Sequence, residues 1–280
     1  MLEPSRTVAD LRELQELTGN ADGAQRVAWT DTWQTAREWL RGKLDETGAV
    51  ESVDAAGNQW FTLPGDSERA LLIGGHIDSV PNGGWLDGAL NLMAGAEVLR
   101  RIAGDGTPPV TVRLVNWADE EGARFGRSLF GSSAAAGSMA DQDELRQHKD
   151  ADGVTLPEAI ARFDVDLENA LEARSELENA ATYLELHIEQ GPVLESLDLP
   201  LGVVLGTFGV EHHVETGELG TIDQGSEQPR PVPGTAYQIP HQPRLITGTQ
   251  IPQDGRPLFI QQGCQLGRLF IGGVAGNLCP

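Results

Sequence analysis

The stretch "ALLIGGHIDSVPNGGWLDGALNLMAGAEVL", residues 70–99, decides the fold. It opens on an apolar run of strand length. It then crosses a glycine-rich loop that carries His76, Asp78 and Asp87, and continues with helical period. In the predicted helix, 87–104, Leu90, Met93, Ala94, Val98 and Ile102 share one face. Strand, polar loop and helix in that order form the first half of a βα unit, which implies a sheet that is at least partly parallel.

The rest of the chain extends that layout on both sides. "VTVRLVNWADEEGARFG" predicts a strand from Val110 to about Trp117 that runs into Asp119, Glu120 and Glu121. "TYLELHIEQGPVLE" predicts a third strand, Thr182 to about Ile188, with His187 inside it between Glu185 and Glu189. Upstream, residues 8–18 predict a short amphipathic helix. "TDTWQTAREWLRGKLDETG" predicts a second, capped by Thr30 or Asp31 and stopped at Gly48. "AVESVDAAGNQWFTLPG" predicts a hairpin that turns near Ala56, Gly57 and Asn58. "SLFGSSAAAG" predicts a short helix, and residues 139–181 read as mostly helical, acidic and exposed. The fold class is therefore α/β with a mixed sheet. In such sheets ligands collect beyond the carboxyl ends of the strands. Three strands end there in metal-binding residue types: His76, then Glu120 with Glu121, then His187.

Each cluster alone also has an ordinary reading. His76 fits a buried structural histidine, and Asp87, placed before Gly88, fits a helix N-cap. Three consecutive acids fit a solvated helix N-terminus, where the dipole favours them. His187 fits a histidine packed in a strand, and His148, His212, His213 and His241 lack a comparable context. Together the clusters say more. Two histidines, an aspartate and adjacent glutamates form a mixed nitrogen and oxygen donor set, which suits zinc, manganese or cobalt better than calcium or magnesium. Two such ions sharing a carboxylate lower the pKa of a bound water and polarise a carbonyl. Asp78, two residues from His76, is placed to hold its second ring nitrogen or to turn away.

Composition narrows the partners. A formal charge of −22 argues against nucleic acid and anionic membrane surfaces, which call for basic patches. No apolar run is long enough to span a bilayer, and the N-terminal residues carry no secretory pattern, so a cytoplasmic location is expected. Cys264 and Cys279 suggest no disulfide framework.

Three stretches, "GGHIDSVPNGGWLDGALNLMAGAEVL", "NWADEEGARFGRSLFGSSAAAG" and "LELHIEQGPVLE", resemble the hydantoinase/carbamoylase-type amidohydrolases. These belong to the dinuclear-zinc aminoacylase and carboxypeptidase superfamily and include N-carbamoyl-L-amino acid hydrolases, β-ureidopropionases and allantoate amidohydrolases. The resemblance covers roughly residues 5–213. It implies the N-terminal part of an aminopeptidase/carboxypeptidase-like catalytic domain with two divalent ions (Zn2+ or Mn2+, or Co2+). It assigns metal binding to His76, Asp87 as the bridge, Glu121 and His187. It makes Asp78 the partner of His76, Glu120 the general base, and Gln190 a neighbour of a small ureido or amide substrate.

The same family continues with a small lid domain, used for substrate binding and homodimerisation, and then a return segment carrying a last histidine ligand. Residues 214–280 match neither. They hold eight of the sixteen prolines, eleven glycines and no lysine, a composition that reads as irregular coil. The expected division is an incomplete catalytic domain, 1–213, and a proline-, glycine- and glutamine-rich tail, 214–280, as a truncated gene or an out-of-frame reading would produce. His241 lies between segments rich in proline and is a poor substitute for the missing ligand. On that reading the chain is aggregation-prone, and it has little activity.

Overall fold

The computed structural model describes residues 1–204. Helix α1 spans Pro4–Thr18, four residues earlier than the apolar period suggests, because Pro4 fits the first helical turn without losing a needed hydrogen bond. A two-residue hairpin follows, β1 (Gly19–Asn20) and β2 (Gly23–Ala24). Helix α2 (Asp31–Leu44) is capped by Thr30, whose hydroxyl accepts from the Trp33 amide at 3.3 Å. It ends through one 3-10 turn at Gly48, which takes the left-handed conformation expected of a stop.

The predicted hairpin forms as β3 (Val50–Val53) and β4 (Gln59–Leu63). Asp54 fastens its turn: one carboxylate oxygen accepts from the Ala56 and Asn58 amides, the other from the Asn58 side chain and Trp60 Nε1. Next come β5 (Ala70–His76), α3 (Ala89–Asp105) and β6 (Thr111–Trp117). The short helices α4 (Phe130–Ala136), α5 (Gln142–Leu145) and α6 (Leu156–Ala161) precede β7 (Ala180–Leu184) and α7 (Val193–Ser196). No helix among the described residues is long and apolar enough to cross a membrane.

The larger sheet has the order β3-β4-β6-β5-β7. The β3–β4 and β4–β6 pairs are antiparallel, while β6–β5 and β5–β7 are parallel, so the sheet is mixed as expected. Its parallel part brings the ends of β5, β6 and β7 to one edge. On one face α3 packs closely, with Gly95 against Leu114 and Ile73. On the other, Trp60, Trp117 and Tyr183 form a row across three strands, with Trp117 Nε1 donating to the Tyr183 hydroxyl at 2.9 Å.

Three local expectations need correction. The most deeply buried stripe of α3 is Ala89, Leu92, Met93, Ala96 and Leu99; Leu90, Ala94, Val98 and Ile102 are half-buried. The helix is covered on two sides, by the sheet and by α1, so a single-face reading picks its flank. Residues 139–181 are not mostly helical: they form two short helices and one 3-10 segment (Ala170–Leu177) joined by turns. They bury Leu145, Leu156, Ile160, Val165, Leu167 and Ala170 in the main core, hidden in the sequence among exposed acids. Finally, β7 stops at Leu184, so His187 lies in the loop beyond it rather than within the strand. The expected boundary at 213 and the tail 214–280 lie outside the described residues, as do His212, His213, His241 and both cysteines.

Candidate metal centre

His76 closes β5 and is fully buried. Its Nδ1 is 3.0 Å from the Asp78 carbonyl oxygen and 3.6 Å from Asp78 Oδ1. The backbone carbonyl is thus the closer partner, which fixes the ring with Nε2 pointing away. That Nε2 is buried and makes no hydrogen bond. It faces Glu120 Oε2 at 3.6 Å and Asp87 Oδ1 at 3.8 Å.

Asp87 does not cap α3. The helix begins at Ala89 with Gly88 in the cap position and no side-chain cap. The Asp87 carboxylate turns instead toward the histidines: Oδ1 lies 3.3 Å from His187 Nε2, and Oδ2 accepts from the Gln190 amide at 2.6 Å. Gly88 makes this turn possible. Its φ is +63°, and a Cβ there would lie 2.2 Å from the His76 carbonyl oxygen and 2.5 Å from the ring.

The acids after β6 sit in a pinned loop, not on a helix. Asp119 and Glu120 are buried. The carbonyls of Ala118, Asp119 and Glu120 accept from the amides of Gly131, Phe130 and Leu129. Asp78 supplies the remaining anchor, accepting from the Glu120 amide at 3.3 Å and the Glu121 amide at 3.1 Å. Its carboxylate therefore serves the glutamate pair more directly than the His76 ring. Asp119 points the other way, into the core, and accepts from Trp29 Nε1 at 2.9 Å.

Electrostatics match this crowding. Burial opposes protonation of His76, but Glu120, Asp78 and Asp87 outweigh it and hold the imidazole well above its ordinary range. Burial pushes the Asp119 carboxyl up to about 8, with Asp78 adding to the effect. Burial raises Glu121 to about 7, against the pull of His76 and with help from Glu120 and Asp87.

The residues form two groups with donor atoms mutually within 4.8 Å: His76, Asp87 and His187; and His76, Glu120 and Glu121. A buried imidazole nitrogen without a hydrogen bond, facing carboxylates, fits a divalent ion of the zinc class. Every expected site residue in the described part, including Gln190, converges here. His148 does not; its Nδ1 lies against the Phe125 carbonyl at 2.9 Å.

The structure also adds residues that the sequence does not flag. Buried Asn91, on α3, accepts from the Leu186 amide at 3.2 Å, next to His187. Buried Asn58 accepts from the Ala118 amide at 2.9 Å and ties the β3–β4 turn to the acidic loop. Arg26 grips the segment that carries Asp78. Their signal is long-range contact, which no local pattern carries.

The chain is similar to known proteins. The chain is 36% identical over 216 residues to an N-carbamoyl-L-amino acid amidohydrolase of Geobacillus stearothermophilus, covering 75% of this chain and 52% of that one. It is 32% identical over 244 residues to an allantoate deiminase of Arabidopsis thaliana, covering 83% of this chain and 46% of that one. A crystal structure of a hydantoinase/carbamoylase family amidase from Burkholderia ambifaria superposes with a TM-score of 0.63 at 30% identity, covering 72% of this chain and 49% of that one. The chain spans about half the length of the curated relatives it matches. A model of peptidase family M20/M25/M40 matches residues 72–256, a range that starts in β5, takes in every candidate ligand, and runs past residue 213. That match covers more than half of the chain, and the chain belongs to the peptidase family M20/M25/M40.

Proposed function

We propose that this chain carries the metal-binding part of a hydrolase for linear amide or ureido C–N bonds, with N-carbamoyl amino acids or allantoate-like ureido acids as substrates. The observation that carries the reading is the buried, hydrogen-bond-free Nε2 of His76 facing the carboxylates of Asp87 and Glu120. Similarity to an N-carbamoyl-L-amino acid amidohydrolase and an allantoate deiminase supports the substrate class. The metal-carrying domain is assigned to residues 1–213 and the remainder to the tail.

His76, Asp87 and His187 would hold one ion, and Glu121, grouped with His76 and Glu120, would serve a second; zinc, manganese and cobalt all suit these donors. Bound there, such ions lower the pKa of water and polarise the substrate carbonyl. Glu120 takes a proton from the attacking water and returns it to the leaving nitrogen as the C–N bond breaks. From an N-carbamoyl amino acid the products are the amino acid, carbon dioxide and ammonia. Asp78 holds the Glu120 backbone, and Gln190 stands at the exposed side, where substrate enters. The test is metal-dependent ammonia release from a panel of ureido acids, lost in Glu120→Gln. Release that persists in that variant, or that ignores chelator, rules the assignment out.

A second reading is a metal-binding remnant without turnover. It is favoured by the sharing of His76 between both donor groups, which leaves only carboxylates for a second ion among the described residues. One ion per chain with no ammonia release would select it.

A further inference from the structure

Asn91 lies in the first turn of α3, four residues after Asp87, and is buried. It packs against the residue that precedes each histidine of the site. On one side its amide group lies on Gly75, next to His76: a Cβ there would come within 2.5 Å of Asn91 Nδ2 and 3.0 Å of Asn91 Cβ. On the other, its Oδ1 accepts from the Leu186 amide, next to His187, at 3.2 Å. The strand register gives these contacts their meaning. β5 and β7 pair in parallel through Leu71 with Thr182, Leu72 with Tyr183 and Ile73 with Leu184, and β7 stops there. Two more steps of that register would set Leu186 beside Gly75, and the next would set His187 beside His76. Instead the Leu186 amide turns to Asn91, and His187 leaves the sheet with its Nε2 3.3 Å from Asp87 Oδ1. His187 Nδ1 lies 2.6 Å from the Ile188 carbonyl oxygen, so the course of the loop aims the ring. Asn91 Nδ2 is buried and makes no hydrogen bond among the described residues. An unspent buried donor costs stability, which sets Asn91 apart from the apolar residues beside it that hold the core, Leu92, Met93 and Ala96.

We propose that Asn91 is a positioning residue: its side chain takes over where the β5–β7 ladder ends and turns His187 toward Asp87, so that His76, Asp87 and His187 form one donor set. The inference rests on the metal-binding reading above. Those three residues have donor atoms mutually within 4.8 Å. Asn91 is joined to the segment of each, to Asp87 through the start of α3 and to the histidines through Gly75 and Leu186. Without its oxygen the Leu186 amide loses its acceptor, and the chain after Leu184 is released either to lengthen the ladder or to swing outward. Both movements take His187 away from Asp87, and zinc binding weakens through that one ligand. A residue that served packing alone would lower the melting temperature and leave the donor set as it was.

The test uses the full chain as wild type, Asn91→Leu, His187→Ala and the double variant, in zinc competition titrations and in visible absorption spectra with cobalt. Leucine keeps the branching of asparagine and removes the acceptor. Asn91→Leu is expected to weaken zinc about tenfold. In the His187→Ala background the same substitution should change zinc affinity by less than about twofold, because the ligand through which it acts is gone. The cobalt bands of Asn91→Leu should move away from those of the wild type and toward those of His187→Ala. Unchanged zinc affinity in Asn91→Leu, or a tenfold loss repeated in the His187→Ala background, overturns the inference. If His187→Ala binds zinc too weakly to titrate, the cobalt bands of Asn91→Leu decide: altered bands support the inference, and wild-type bands overturn it. If Asn91→Leu does not fold, Asn91→Ala takes its place, and failure of both to fold overturns the inference, since Asn91 would then hold the sheet and not the ligand. A wild-type chain that binds no zinc removes the metal reading itself, and this inference with it.

Discussion

Where α1, α2 and α3 meet, Asp10 lies 2.9 Å from both Lys43 and Arg100, and Glu97 lies 2.8 Å from Arg6 and 3.7 Å from Arg100. At the ends of β5, β6 and β7, four carboxyl groups, those of Asp78, Asp87, Glu120 and Glu121, surround one histidine. Both regions are buried and densely charged. The first is balanced by its own side chains, so its geometry is complete as a piece of structure. The second is short of positive charge, and its imidazole nitrogen has no hydrogen bond. Charge density alone does not separate a structural network from a functional one; the sign of the imbalance does.

That comparison can be broken at either region. The largest effect is expected from Glu120→Gln, with ammonia release falling about 10²–10⁴-fold while the melting curve stays near wild type. Arg100→Met, in the balanced network, should cost about 1–3 kcal/mol in urea unfolding, because Asp10 and Glu97 each lose one of two cations while keeping Lys43 and Arg6. Its zinc affinity should not change. Asp78→Asn should weaken zinc about 10–100-fold in competition titrations, since it disturbs the carboxylate that holds the Glu120 and Glu121 amides. A comparable loss is expected for Asp54→Ala, roughly 1–3 kcal/mol in urea unfolding from the lost turn bonds, with zinc binding intact.

The smallest effect concerns pH. Burial would raise the Glu51 carboxyl, but hydrogen bonds from Arg41 and Gln59 outweigh burial and hold it below its ordinary value. Its stabilisation is therefore fully present above the ordinary carboxylate range and is lost as pH falls through the lowered value. Below pH 4.5, wild-type Tm should fall a degree or two (~1–2 °C) faster than that of Glu51→Gln. Parallel curves would show that the hydrogen bonds from Arg41 and Gln59 to Glu51 add nothing to folding.

The sequence carried the frame of this site because hydrophobic period and strand ends are local. β5, β6 and the hairpin fall where apolar alternation and turn residues put them. Asp87 was open to two readings, and only Gly88, with its positive φ, turns its carboxylate from the helix toward His187. His187 reads as part of a strand because Leu186 and Ile188 flank it, yet pairing with β5 ends at Leu184. Arg26 was invisible for a different reason. Its partners Ile77 and Ser79 lie about fifty residues away, and a single arginine among small residues has no local signature.

The parallel pairing of β7 beside β5 also has a consequence for the order of events in the cell. β5 leaves the ribosome first, and β7 with His187 follows only after about a hundred more residues. At about 5–20 residues per second, the interval lasts roughly 5–20 seconds. During that time β5 offers an unpaired edge, and Asp87 has no His187 beside it. The nascent chain therefore passes through a stage in which its acids are in place and one histidine is still unmade, and that interval is when a chaperone would matter most.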